Sequence, residues 1–133
     1  MLYTQIVRIK DALTELGKER LPYAYMIAKN IIACEKIVNE SNTIIDAIKK
    51  TYADKDEKGE VKLYNENGNS FFKITDPDIL KTAQIELDKA TAEDHPISFF
   101  TMPLEKIKDL SLPANVLVPL LGTVILEDEP KKS

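Results

Sequence analysis

The chain has 133 residues, 44% hydrophobic and 30% charged, a length and balance that suit one globular domain and argue against disordered or fibrous classes. Eighteen basic residues and 22 acidic ones, scattered through the chain, leave a net charge of -4, which disfavours nucleic acid as a partner. The single cysteine, Cys34, has no internal disulfide partner, and no basic segment followed by an apolar one opens the sequence, so a reducing cytoplasm is the expected setting. No apolar run reaches the ~20 residues of a membrane span, the longest being Leu112 to Leu126, broken by Pro113, Pro119 and Gly122.

Ile6, Ile9, Leu13 and Leu16 recur at intervals of three and four, so residues 4–16 are expected to form an amphipathic helix ended by Gly17. A polar link, Lys18-Glu19-Arg20, leads to Pro22, which suits the first position of a second helix. From there Ile27, Ile31, Cys34, Val38, Ser41, Ile45, Ile48 and Tyr52 alternate steps of four and three, a heptad seam widened by Ile32, Ile37 and Ile44. The two helices form an expected helical hairpin over 4–53. At 1.5 Å per residue the second is a rod of about 45 Å, longer than the first helix can cover. A third helix over 77–93, capped by Asp76 with Pro77 behind it and carrying Ile79, Leu80, Ala83, Leu87 and Ala90 on one side, is expected to cover the remainder, alone or with a second copy of the chain.

Between the second and third helices, residues 59–75 alternate apolar and polar around Asn67-Gly68, a strong signal for a two-residue type I′ hairpin. Counting outward pairs Tyr64 with Phe71, Leu63 with Phe72, Lys62 with Lys73 and Val61 with Ile74, which puts Val61, Leu63, Phe72 and Ile74 on one apolar face. The other face carries Tyr64 and Phe71 and a repulsive lysine pair. Over 96–126 a strand from Ile97 to Met102 is expected to extend the hairpin's sheet. Helical turns around Leu104, Ile107 and Leu110 and from Ser111 toward Leu121 follow, then a last strand over Thr123 to Leu126. Residues 127–133 are polar and expected to be a frayed tail. The sum is an α+β fold: a long central helix, shorter packing helices and a small antiparallel sheet built on the hairpin.

Chemistry is sparsely represented. The run Asp54-Lys-Asp56-Glu-Lys58-Gly59 has part of a calcium-loop spacing, but Lys58 takes the fifth position and Asn65 the twelfth, where oxygen ligands belong, so a solvated turn is expected. His95 is the only histidine, directly before Pro96, and Cys34 falls on the apolar seam, so neither a metal nor a cofactor site nor a nucleophilic pair is expected. The acid pairs Asp76 with Asp78 and Glu93 with Asp94 flank the third helix, where the helix dipole explains the first pair. The four glycines are isolated, so no phosphate loop exists, and no catalytic residues are assigned. Tyr64 and Phe71 on the second hairpin face, with Phe100 on the opposite side of its segment from Phe99, are the candidate interaction surface.

The early "ALTELGKERLPYAYMIAKNI", the helix ending in "YADKDEKGEV" and the late "HPISFFTMPLEKIKDL" together resemble a group of short phage-encoded proteins of uncharacterised function. The similarity lies in punctuation and apolar spacing from about Ile9 to Leu121. It implies a role in phage particle or tail assembly, or in early dealings with the host, and it transfers no catalytic residues. The expectation is thus a non-enzymatic phage or prophage protein acting through protein contacts in the host bacterial cytoplasm or the virion. Its partner would be itself, another virion protein or a host protein. The alternative is a small acidic inhibitor of a host defence or replication protein.

Overall fold

The computed structural model describes residues 1–19 and 22–127. Arg20, at the end of the expected polar link, and all of the expected tail beyond Glu127 lie outside the described residues. The fold is α+β, with four α-helices and a small antiparallel two-stranded sheet among the described residues. Helix α1 spans Tyr3–Leu16, α2 Ala24–Tyr52, α3 Pro77–Thr91 and α4 Ala114–Leu120. Strands β1 (Leu63–Glu66) and β2 (Asn69–Phe72) form the hairpin, and β3 (Met102–Pro103) lies parallel to β4 (Ile125–Leu126).

The chain divides into two compact units. The first joins residues up to Val38 with those from Asp94 onward, and the second is Asn39–Glu93. The boundary falls inside α2, which contributes its first half to one unit and its second half to the other.

The first unit holds the whole buried apolar cluster. Ile6, Ile9, Leu13 and Leu16 of α1 point into it as their spacing predicts, joined by Ile27, Cys34 and Val38 from the seam of α2. The sequence pattern suggested that the first half of α2 would be the nearest neighbour of α1. Helix α4 is nearer, and its Val116 and Leu120 are buried in the same cluster as Ala12 of α1. Helix α2 begins two residues later than Pro22 suggests: Pro22 lies in the preceding turn, and the Ile27 N–H donates to the Tyr23 carbonyl at 2.9 Å. The proline's fixed φ serves the turn instead of the helix.

The expected strand from Ile97 to Met102 is a correction. Residues 97–101 are extended without a strand partner, and only Met102–Pro103 pairs, with β4 and not with the hairpin. The Met102 N–H donates to the Val124 carbonyl at 2.8 Å, and Met102, Val124 and Ile125 are buried. Burying these side chains among α1 and α4 outweighs the extra ladder that a third hairpin strand would have given. The helical turns appear as a short 3-10 turn at Leu104–Lys106 and as α4, after which Gly122 takes φ +83 and turns the chain into β4.

In the second unit α2 continues without a break to Tyr52, with Ser41 buried and Ile45, Ile48 and Tyr52 half-buried. Helix α3 starts as expected, the Asp76 carboxylate accepting the Asp78 N–H at 2.9 Å.

Candidate functional site

The hairpin's tip follows directly from its sequence. Asn67 takes φ 52 and Gly68 φ 81, the paired positive values of a type I′ turn, and the register pairs Leu63 with Phe72, Tyr64 with Phe71, Asn65 with Ser70 and Glu66 with Asn69. The Tyr64 and Phe71 rings meet across the strands with centroids 5.5 Å apart and planes tilted by 32°. Both stay open to solvent, Tyr64 at 45% and Phe71 at 42% exposure. The apolar face of the hairpin is not fully covered either: Leu63 is exposed and Phe72 is only half-buried.

The base of the hairpin departs from simple counting. Lys73 N–H still donates to the Lys62 carbonyl at 3.0 Å, but Val61 does not continue the ladder to Ile74 and instead bridges to Lys55. Asp54 explains the divergence. Its backbone N–H donates to the Lys73 carbonyl and its carbonyl accepts the Lys62 N–H, both at 2.7 Å, so the residue is wedged between the two strands. Its carboxylate accepts the Thr75 N–H at 3.2 Å and also the Thr75 hydroxyl. Those two bonds, with the Lys62 and Lys73 charges behind them, hold the Asp54 carboxyl below its ordinary range. The lysine pair that looks repulsive in two strands alone is therefore a cluster with an anion in it.

The turn before the hairpin uses its acids in the same way. Asp56 accepts the Lys58 N–H at 2.8 Å and the Glu60 N–H at 3.0 Å through one carboxylate oxygen, closing the acidic run as a tight turn. Among the described residues no three or more His, Cys, Asp or Glu side chains are grouped to hold a metal ion.

Phe100, the remaining aromatic of the candidate surface, is 52% exposed and belongs to the first unit, whereas Tyr64 and Phe71 belong to the second. The structure therefore brings two of the three residues together as a ring pair. What fixes Phe100 is Asn30 of α2, a residue the heptad count passes over. The Asn30 carboxamide donates to the Phe100 carbonyl and accepts the Phe100 N–H, each at 2.9 Å, replacing the strand partner that residues 97–101 lack. Asn30 is buried, and the sequence carries a signal for it: an amide three residues after Ile27 and four before Cys34 lies on the apolar stripe, where an unpartnered polar group is costly.

Cys34 has no solvent exposure, and burial pushes its thiol up to about 11, so at neutral pH it is a protonated core side chain without nucleophilic character. Around His95 the chain is tied to its start. The His95 N–H donates to the Met1 carbonyl at 2.8 Å, and the Met1 ammonium donates to the His95 carbonyl at 2.9 Å and to the Asp94 carboxylate. That ammonium lowers the Asp94 pKa, first through the hydrogen bond and then through its charge. An open cleft of the first unit, about 580 Å³ and lined by Lys10, Asp11, Glu15, Glu35, Asn115 and Val116 among others, mixes one cation with three acids.

No helix among the described residues is long and apolar enough to cross a membrane. No family model matches the chain, and neither a curated protein nor a solved structure does.

Proposed function

We propose that this chain is a non-enzymatic phage or prophage protein that acts by docking onto another protein, as a structural or assembly component. The observation that carries the reading is the Tyr64 and Phe71 pair, two rings packed on each other across the hairpin and open to solvent. Aromatic side chains ordered before binding lose little entropy on contact and are the usual anchors of protein interfaces. The phage setting rests on the resemblance of residues 12–31, 52–61 and 95–110 to short phage-encoded proteins.

The test is to look for the chain by mass spectrometry in purified phage particles and in infected-cell cytosol, with wild type and a Tyr64→Ser, Phe71→Ser double variant. Wild type is expected in particles and the double variant is expected to be excluded while keeping its circular dichroism spectrum. Wild type confined to the cytosol overturns the assembly role.

One observation favours the second reading, an inhibitor that fills a basic groove on a host protein. The excess of acids falls in the second unit, where twelve Asp and Glu face eight Lys, while acids and bases balance in the rest of the chain. An association rate that falls steeply with added salt distinguishes this mode from aromatic docking.

A further inference from the structure

The hairpin face that carries the ring pair is charged along its length. Side chains two apart on a strand share a face, so Lys62 and Lys73 lie at the base of the Tyr64 and Phe71 pair, and Glu66 with Asn69 at its tip. Both lysines are exposed. Among the described residues the ion pairs are Met1 with Asp94 and Lys18 with Glu15, so neither lysine is in one. The anion on which both of their charges act is Asp54, and each of its carboxylate oxygens is already engaged by Thr75. Two lysines and one aspartate leave one positive charge in excess beside the rings. Like charges directly opposite each other weaken a strand pair, and a local rule broken in an otherwise regular hairpin marks a place where a partner supplies the missing charge.

We infer that the partner met by Tyr64 and Phe71 presents an acidic protein segment, with an apolar or aromatic side chain on the two rings and an adjacent carboxylate between Lys62 and Lys73. This rests on the docking role of the ring pair and adds the chemistry of its partner. The order of charges on the face sets the direction: the partner's acid lies over the base of the hairpin, away from Glu66 at the tip. A single strand of nucleic acid also combines flat rings with negative charge, but the surroundings disfavour it. The second unit holds twelve Asp and Glu against eight Lys, and this face offers two cations where a phosphate backbone follows a longer row of them. A carboxylate beside one aromatic anchor needs no more than two ammonium groups.

The chain has no tryptophan, so the indole emission of a capped peptide with one tryptophan followed by two glutamates reports its binding to the full chain. Wild type is expected to bind this peptide about tenfold more tightly than the same peptide with two lysines, and a Lys62→Gln, Lys73→Gln double variant to lose about tenfold for the acidic one. A Lys81→Gln, Lys89→Gln control makes the same change of charge at exposed positions of α3 and should bind as wild type does. The double variant removes a repulsion at exposed positions, so it should keep its circular dichroism spectrum. No binding of the acidic peptide, equal binding of the two peptides, an equal loss in the control, or tighter binding of a thymidylate oligomer overturns the inference. Any of these, with the Tyr64→Ser, Phe71→Ser variant still excluded from particles, removes the acidic partner alone. Binding as expected by a chain that enters no particle removes the assembly role alone.

Discussion

Replacing Asn30 by alanine isolates the device that holds Phe100 at the surface. The carboxamide makes two bonds to the backbone of one residue, to its carbonyl and from its N–H, each 2.9 Å, from a position that is buried in α2. A net hydrogen bond contributes about 1 kcal/mol, and a buried partner left without one costs about 1–3 kcal/mol. Phe100 is half exposed, so water reaches part of its peptide group once the amide is gone, and the upper end of that range does not apply. The expected loss in unfolding free energy for Asn30→Ala is therefore about 2–3 kcal/mol. Asn30→Asp keeps an acceptor for the Phe100 N–H but sets a carboxylate against the Phe100 carbonyl, so it should cost at least as much at neutral pH and less once the acid is protonated. Urea unfolding followed by circular dichroism at fixed protein concentration measures the loss, and amide exchange at Phe100 reports the bond itself. A loss under about 0.5 kcal/mol, with Phe100 protection unchanged, refutes the role given to Asn30.

The wedge at the hairpin base gives a pH prediction. The Asp54 pKa is lowered in the fold, so its contribution is complete above the unfolded carboxylate value and is lost as pH falls through the lower folded one. Exchange protection of the Lys62 and Lys73 amides should fall in that acid window in wild type, and Asp54→Ala should show the weakened state already at neutral pH; unchanged protection in the variant removes the wedge. Cys34 shifts the opposite way. Its thiol is favoured as the protonated form in the fold, so stability should decline with rising pH between 9.0 and about 11, and a thiol reagent at neutral pH should label it only on unfolding. Fast labelling of the native chain contradicts the buried position.

The hairpin tip was legible residue by residue because its determinants are local: Asn67-Gly68 selects the turn, and the turn fixes the four pairs from Glu66 with Asn69 out to Leu63 with Phe72, beyond which the expected Val61 and Ile74 pair gives way to the bridge with Lys55. The caps of α3 and the length of α2 were legible for the same reason, since both depend on residues within a turn or two of one another. Partnership was not. The alternation of residues 97–102 fits a strand equally well beside the hairpin or beside β4, and the choice depends on which side chains find a cavity among α1 and α4. Asn30 and Asp54 escaped the periodic count because their partners, Phe100 and Thr75, lie 70 and 21 residues away.

Sequence alone therefore determined the helices and the hairpin turn, because these are settled by neighbours a few residues apart. Only the tertiary structure decided where the core closes and where it stays open. The apolar stripe of α2 repeats with the same period along its length, yet Ile27, Cys34 and Val38 of its first half join the buried cluster while Ile45, Ile48 and Tyr52 of its second half are only half-buried. Periodicity states which face of a helix seeks cover; the volume of the groups brought against it decides whether that cover is complete within one chain.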